Sequence, residues 1–265
     1  MSWYEFKKTV NRAGTTLMQK TGQIERTVDR DFSDESAKFK TYEKETIALQ
    51  KDSKAFLEAI RAIASSQVKI SETIDVFYGA ADRMSEGAMA ANAYRRSTEE
   101  LDATTTGQLD QAFRNTILEP VGRMASYFPN INSLIEKRNK KLLDYDAARS
   151  KLRKLEGKVD NDPTKLPRAE KEYEDAKEIF ETINEQLVAE LPQFLDLRVP
   201  YFDPSFEAMI RLQCKFAEEG YEKLGAVQRY FPDNVRDDYA AGQLDAQVEN
   251  VLQEMKDLSI CSASG

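Results

Sequence analysis

The chain has 265 residues, of which 32% are charged and 41% hydrophobic, and its formal net charge is −8. Eleven glycines and eight prolines are few for this length, a composition typical of a small number of long helices. The absence of histidine excludes the commonest general base and histidine-containing metal sites, and two cysteines are too few for a disulfide framework. We therefore expect a reduced cytoplasmic protein that is not an enzyme and holds neither a cofactor nor a metal. The chain also has no run of apolar residues long enough to span a bilayer.

The first 22 residues predict a short amphipathic helix. Trp3, Phe6, Val10 and Leu17 share one stripe, whereas Lys7, Lys8 and Arg12 lie largely away from it. Trp3 is the only tryptophan, and its place at the start of the chain favours use at a membrane interface over burial in a core. Thr21 and Gly22 predict a hinge after this helix.

A heptad pattern of about fifty residues follows and is the strongest structural signal. One series of positions seven apart runs from Val28 to Phe77, and a second runs from Phe32 to Ile74. At about 1.5 Å per residue, the predicted helix from Ile24 to Tyr78 would be roughly 75 Å long. The segment from Ala55 to Ala64 is apolar on nearly all sides, which predicts a dimer centre whose core contains three of its residues, Phe56, Ile60 and Ile63.

Two more long helices complete the predicted rod. The small, polar region 79–108 predicts the first connection, so that the second helix begins near Ala88 or Gln108 and ends near Leu155, with prolines at 120 and 129. A turn at residues 157–167 leads to a third helix, Arg168 to Phe231, bent by prolines at 192, 200 and 204. We expect an all-α fold, an elongated antiparallel three-helix coiled coil with proline-kinked helices. Residues 1–22 would form the amphipathic helix, 23–232 the helical domain and 233–265 an acidic tail.

Positive charge is concentrated on the second helix of this acidic protein. Residues 136–158 contain nine cations and four anions, a net charge of +5, and Lys165, Arg168 and Lys171 extend the cluster across the turn. A solvated helix face would explain such a run taken alone, but its combination with a basic amphipathic start favours an anionic membrane. Nucleic acid is disfavoured by the overall acidity and by the lack of a recognisable binding motif.

Other reactive side chains have simpler explanations. Asp144 and Asp146 are two residues apart, so they point away from a common substrate, and ion pairs with Arg149 or Lys140 are expected instead. Cys214 lies in an apolar stretch and is predicted to be a core thiol, whereas Cys261 lies in the tail.

Several stretches resemble the N-BAR domain family of the amphiphysin and endophilin type. They include FKTYEKE, ALQKDSKAFLEAI, IEKRNKKLLDYDAARSKL and ELPQFLDLRVPYFDPSF, and the resemblance covers roughly residues 1–232. Its nearest form is the short fungal amphiphysin-like protein of the reduced-viability-upon-starvation type, which lacks a Src-homology-3 domain.

The resemblance implies a crescent-shaped dimer with a six-helix bundle that binds curved anionic membrane, including phosphatidylserine and PIP₂, and acts in endocytic vesicle formation and scission. It also implies a peripheral position at the plasma membrane and cortical actin patches, indirect links to actin-associated factors and cell polarity, and either a homodimer or a heterodimer with a longer BAR protein that carries a Src-homology-3 domain. The implied membrane-facing cations are Lys137, Arg138, Lys140 and Lys141 on the concave face, and Lys151, Arg153, Lys154, Lys158, Lys165 and Arg168 at the tip. Asp160 and Asp162 make this tip less basic than in relatives. A cytoskeletal or adaptor scaffold that acts through protein partners without bending membrane is the alternative.

Overall fold

The chain is mostly helical in the part that the computed structural model describes, residues 3–79, 84–157 and 162–260, and those ranges contain no β-strand. The prediction of an all-α fold is therefore confirmed. The longer helices are α1 (Trp3–Lys20), α2 (Arg30–Gly79), α3 (Glu86–Thr104), α6 (Phe128–Glu156), α7 (Lys165–Asp196), α8 (Arg198–Gly225) and α10 (Gln243–Lys256). Shorter elements are the π-helical turns Thr105–Leu109 and Arg114–Leu118, α4 (Asp110–Phe113), α5 (Glu119–Ala125), a 3-10 turn (Gln228–Tyr230) and α9 (Val235–Ala240).

The hinge predicted after the first helix is present, but α2 begins later than expected. Gly22 has a φ of +73°, a left-handed conformation that glycine adopts without strain. The helix predicted from Ile24 starts instead at Arg30, because the carboxylate of Asp29 accepts a hydrogen bond of 3.0 Å from the Phe32 N–H and so caps the helix.

The connection between α2 and α3 is shorter than predicted. Ser85 caps α3 by accepting a hydrogen bond from the Ala88 N–H at 3.2 Å, so that the helix starts at Glu86. The small residues of this region therefore belong mostly to a helix, because small side chains are compatible with close helix packing. The earlier of the two predicted starting points is the better one.

Prolines lie at helix starts as well as inside helices. Pro120 and Pro129 occupy the first turns of α5 and α6, where the missing proline N–H leaves no hydrogen bond unmade. Pro192 and Pro204 lie within α7 and α8, and the third predicted helix is divided between these two at Leu197.

The chain divides into two compact units. The first comprises Met1–Ala55 and Phe113–Met209, and the second comprises Phe56–Ala112 and Ile210–Gly265. The core of the first unit is formed by residues from α2, α5, α6 and α7, namely Phe32, Phe39, Met124, Phe128, Ile135, Ile183, Leu187, Leu191 and Leu195. Edge-to-face packing of Phe39 against Phe128, with ring centroids 5.7 Å apart, is part of this core.

The second unit packs the later half of α2 with α3. Leu57, Ile60 and Ala64 are buried on α2, and Leu101 is buried on α3. The buried hydroxyls of Ser71 and Thr98 form a hydrogen bond of 2.7 Å, which satisfies two polar groups that burial would otherwise destabilise.

Of the two predicted heptad series on α2, the second is buried from Phe32 to Ile60 and half-buried beyond. Phe32, Phe39 and Ile60 of the second series are buried, whereas Ile63 and Phe77 of the first are at least half exposed. In the second unit Leu57 and Ala64 take the buried positions that the first series was expected to fill. This shift leaves an apolar face of α2 on the surface of the protomer.

Candidate membrane-binding surface

Helix α1 is docked on α6 through its polar side. The Arg12 guanidinium donates two hydrogen bonds to the Asp144 carboxylate, at 2.8 and 2.7 Å, and both side chains are mostly shielded from solvent. The hydrogen bond to Asp144 raises the pKa of Arg12 above its ordinary value, although burial opposes this. Thr15, one turn further along α1, is buried in the same contact. We call the Arg12–Asp144 pair the clamp.

Asp146 holds the end of α1 and the segment that follows it. Its buried carboxylate accepts hydrogen bonds from the Gln19 side chain at 2.8 Å and from the Thr27 N–H at 3.2 Å, and it lies 3.2 Å from the Arg149 guanidinium. The expected ion pair with Arg149 is therefore confirmed for Asp146. Asp144 pairs with Arg12 instead, a partner 132 positions away in the chain.

The apolar side of α1 faces outward. Trp3, at 80% exposure, is the most accessible of the four residues predicted to insert into a membrane, and Phe6, Val10 and Leu17 are each at least half exposed. Tyr4 and Met18, which were not predicted to insert, are also exposed. Because the polar side is occupied by α6, this helix presents apolar residues to its surroundings as a folded element.

Cations surround the start of α1. Lys7 is exposed, and the Lys8 ammonium lies 4.6 Å from the centre of the Tyr4 ring. The pKa of Tyr4 is lowered chiefly by Lys8, through a hydrogen bond and its charge, and to a smaller extent by the charge of Lys141 on α6. Lys141 therefore adds to the positive charge near the start of α1.

Three of the four cations assigned to the concave face share one side of α6. Lys137, Lys140 and Lys141 are at positions i, i+3 and i+4, and each is at least partly exposed. Lys140 lies 3.4 Å from the Glu136 carboxylate, a surface pair that solvent screens strongly. Because Asp144 follows Lys140 by one helical turn, the clamp and this basic row lie on the same side of α6.

Arg138, the fourth predicted cation of this group, is not on the surface. Its guanidinium is buried, stacks 3.9 Å from the centre of the Phe32 ring, and donates hydrogen bonds to Asn184 at 2.7 Å and Asp29 at 3.3 Å. The prediction for Arg138 is therefore wrong, because a buried side chain held in this way cannot reach a lipid headgroup.

Several groups together set the pKa of Asp29, the acidic partner of Arg138. Burial alone would raise the pKa of Asp29, but hydrogen bonds from the Phe32 N–H, Asn184 and Arg138 together hold it below the ordinary value. Burial lowers the pKa of Arg138, and the charge of Asp29 opposes this change. Asp29 is therefore held ionised opposite the buried Arg138 cation.

The cations assigned to the tip are exposed wherever the structure describes them. Lys151 pairs with Glu172 at 2.5 Å and Arg153 with Glu25 at 2.6 Å, and hydrogen bonding to Arg153 lowers the pKa of Glu25. Lys154, Lys165 and Arg168 are exposed, and together with Lys151 they line a groove of about 890 Å³ between α1, α6 and α7. Lys158 and Asp160 lie outside the described residues.

The predicted dimer-core residues lie in three different environments. Ile60 is buried within the protomer, so it is a residue of the protomer's own core and its assignment to the dimer core is corrected. Phe56 is half-buried and Ile63 is half exposed. Ile63, Ile70 and Phe77, spaced by seven, form the exposed apolar face of α2 in the second unit.

Other kinds of site are not formed by the described residues. No group of three or more cysteine or carboxylate side chains among them could hold a metal ion. Within the same ranges, no helix combines the length and the hydropathy that crossing a bilayer requires. Cys214 is exposed in the protomer, which corrects its prediction as a core thiol, and Cys261 lies outside the described residues.

A family model matches most of this sequence, and several individual relatives match nearly all of it. A family model described as the BAR domain matches residues 6–232. The chain is 55% identical over 260 residues to protein hob3 of Schizosaccharomyces pombe, with 98% of this chain and 97% of the other covered. It is 43% identical over 263 residues to reduced viability upon starvation protein 161 of Saccharomyces cerevisiae, covering 99% and 98%. It is also 43% identical over 263 residues to the regulator of cytoskeleton and endocytosis RVS161 of Candida albicans, covering 99% of each chain.

A solved structure supports the fold independently. The BAR domain of Drosophila amphiphysin superposes with a TM-score of 0.63 at 23% identity, covering 77% of this chain and 93% of the other. The resemblance that the sequence motifs indicated is thus confirmed, together with the all-α architecture.

Proposed function

The chain belongs to the BAR domain family, and from that premise we propose that it is a peripheral membrane protein that senses or generates curvature. Proteins of this family are membrane-shaping scaffolds rather than enzymes, in agreement with the sequence. The observation that carries the proposal is the docking of α1 with its polar side on α6 and its apolar side outward.

The two parts of this surface have complementary energetic roles. Each large apolar side chain of α1 would contribute about 1.5–3 kcal/mol on insertion, before ordering costs. Each lysine or arginine close to an anionic surface would add about 1 kcal/mol, and salt would weaken that contribution. Insertion would therefore anchor α1 in the bilayer, and the basic row on α6 would provide selectivity for anionic lipid such as phosphatidylserine or PIP₂.

The proposed contact residues are those that the protomer leaves accessible. Trp3, Phe6, Val10 and Leu17 would insert. Charge attraction would come from Lys7, Lys8, Lys137, Lys140, Lys141, Lys151, Arg153, Lys154, Lys165 and Arg168. The protomer already pairs Lys140, Lys151 and Arg153 with carboxylates, which lowers the contributions of these three. Arg12 is assigned to the clamp rather than to lipid, because its Nε and Nη2 groups both donate hydrogen bonds to the Asp144 carboxylate.

We propose further that the protein acts as a dimer, through the exposed face of Ile63, Ile70 and Phe77. These residues are each at least half exposed in the protomer, and their heptad spacing suits packing against another helix. The partner would be a second copy or a longer BAR protein that carries a Src-homology-3 domain. Two membrane-binding surfaces on one rigid dimer would raise the apparent affinity through effective concentration.

The proposed cellular role is in endocytosis at the plasma membrane, with links to cortical actin. The name of the Candida albicans relative, a regulator of cytoskeleton and endocytosis, supports this assignment, as does its coverage of 99% of each chain.

Co-sedimentation with liposomes tests the membrane proposal. The variant with Lys137, Lys140 and Lys141 changed to glutamate should lose most of its binding to vesicles that contain phosphatidylserine and PIP₂. A control with Lys44, Lys51 and Lys54 of α2 changed to glutamate alters the net charge equally and should bind nearly as the parent does. If both variants bind like the parent, the basic row on α6 is not a lipid contact. If the parent itself fails to bind, the adaptor-scaffold alternative is favoured.

Trp3 fluorescence tests insertion separately. Because Trp3 is the only tryptophan and is exposed in the docked helix, its emission should shift to shorter wavelength on addition of anionic vesicles. A Phe6→Asp change should reduce that shift, whereas Thr9→Asp, at an exposed position of the same helix, serves as the control for added charge. An unchanged Trp3 emission in the presence of bound vesicles would show that α1 stays outside the bilayer.

A further inference from the structure

Helix α10 carries a heptad seam that the protomer leaves accessible. Leu244, Val248, Val251 and Met255 are spaced by four, three and four residues, the spacing of the d and a positions of a coiled coil. Val248, Val251 and Met255 are each about half exposed, although α10 also packs against the adjoining α9. The family model ends at residue 232, so α10 lies beyond the part of the chain that it matches.

The surface of this helix has the form of a coiled-coil hole. Val248, Val251, Leu252 and Met255, together with Gln247 at a flanking g position, line a shallow depression of about 330 Å³. In the heptad register the four apolar residues are consecutive a, d, e and a positions, the four that receive one knob from a facing helix. The geometry is therefore suited to an apolar side chain of another helix.

The charges beside the seam are segregated from the other charges of the helix. Asp245 and Glu254 flank the seam at e and g positions, and neither makes an ion pair or hydrogen bond with the described part of the chain. On the outer side, Glu249 lies 3.6 Å from the Lys256 ammonium, and Asp257 accepts a hydrogen bond of 3.0 Å from Gln253. The unpaired carboxylates are thus the two that a facing helix would contact.

We propose that α10 is a docking helix for a partner protein, whose own helix has an apolar seam flanked by lysine or arginine. Such a partner would fill the seam and pair its cations with Asp245 and Glu254. An anionic membrane is a poor occupant because the flanking carboxylates would face like charge. A second copy of α10 is also a poor occupant, because two acidic helices would be brought together.

This contact would be weak when it forms singly. Two heptads are short for a stable coiled coil, so a dimer that presents two copies of α10 to a dimeric partner would gain most through effective concentration. The inference does not depend on lipid binding, because it concerns a different surface of a different unit.

Fluorescence anisotropy with two designed peptides tests the proposal on the full chain. Both are three-heptad helices with leucine at a and d positions, one with lysine and the other with glutamate at e and g positions. At physiological salt, the lysine peptide should bind at least roughly tenfold more tightly, a difference of about 1.4 kcal/mol. Changing both Asp245 and Glu254 to lysine should reverse the preference.

A pair of variants with equal charge separates the seam from general attraction to an acidic protein. Val251→Asp places a charge in the seam and should abolish binding of the lysine peptide, whereas Asn250→Asp adds the same charge on the outer side and should preserve it. Equal binding of both peptides, or full binding by Val251→Asp, would overturn the proposal. Both variants should co-sediment with liposomes as the parent does, so failure here is distinguishable from failure of the membrane proposal.

Discussion

Disruption of the clamp should release α1 from α6 while the rest of the first unit stays folded. Arg12 and Asp144 share two charge-assisted hydrogen bonds, and their side chains are 19% and 27% exposed. A hydrogen bond to a charged group contributes about 1.5–3 kcal/mol when well shielded. Partial exposure lowers this, so we expect a coupling energy of about 1–2 kcal/mol for the pair. That energy corresponds to a weakening of the docking equilibrium by roughly 5–30-fold.

Amide hydrogen exchange in the absence of lipid measures this equilibrium. Peptides from residues 3–20 should exchange faster by about that factor in Arg12→Ala and in Asp144→Ala. The double variant should be little faster than either single variant, because both remove the same interaction. Lys7→Ala, which removes an exposed cation from the same helix, is the control. Additive effects of the two changes, or unchanged exchange in both, would refute the clamp.

Three further predictions concern the cores and the dimer. Arg138→Met should lower the free energy of unfolding by about 3–5 kcal/mol in denaturant titrations, because Asp29 then keeps its charge without the buried cation. The control Lys137→Met should change it by less than about 0.5 kcal/mol. A similar small loss in both variants would contradict the burial of Arg138. Because the pKa of Asp29 is depressed in the folded protein, the stabilisation from its carboxylate is complete above the ordinary pKa of 3.8 and is lost as the pH falls through the lowered pKa. Asp29→Asn should therefore make the free energy of unfolding less dependent on pH in the acidic range. An unchanged slope would argue against this contribution of Asp29. Ile63→Asp should shift the mass measured by light scattering toward the monomer, while Ile47→Asp, equally exposed on α2, should not; a monomeric parent at micromolar concentration would rule out this dimer.

The sequence predicted the helical class and the family because those rest on local periodicity and continuous motifs. The burial of Arg138 was missed, although a signal for it exists. Arg138 lies three residues after Ile135 and four before Leu142, so it occupies the apolar seam of α6 rather than the basic row beside it. Because the neighbouring Lys137 and Lys140 are surface cations, Arg138 was predicted to be exposed with them.

Two features could not be predicted from periodicity, namely the clamp and the set of α2 residues that is buried in the second unit. Arg12 and Asp144 are 132 positions apart, and nothing local to α1 indicates which carboxylate it meets. Likewise, the heptad series through Ile63 predicts burial of that residue, but the structure buries Leu57 and Ala64 of α2 and leaves Ile63 outside. Such choices depend on the facing helix, which one pattern does not contain.

The docked state of α1 has a calorimetric consequence. An amphipathic peptide that is disordered in water forms its helix on adsorbing to a bilayer, and the measured heat then includes the enthalpy of the helix–coil transition. Here the residues Trp3–Lys20 already form a helix that is docked on α6 before any lipid is present. The heat of adsorption should therefore be small and dominated by the transfer of apolar side chains, with far-ultraviolet circular dichroism nearly unchanged between the free and the adsorbed protein.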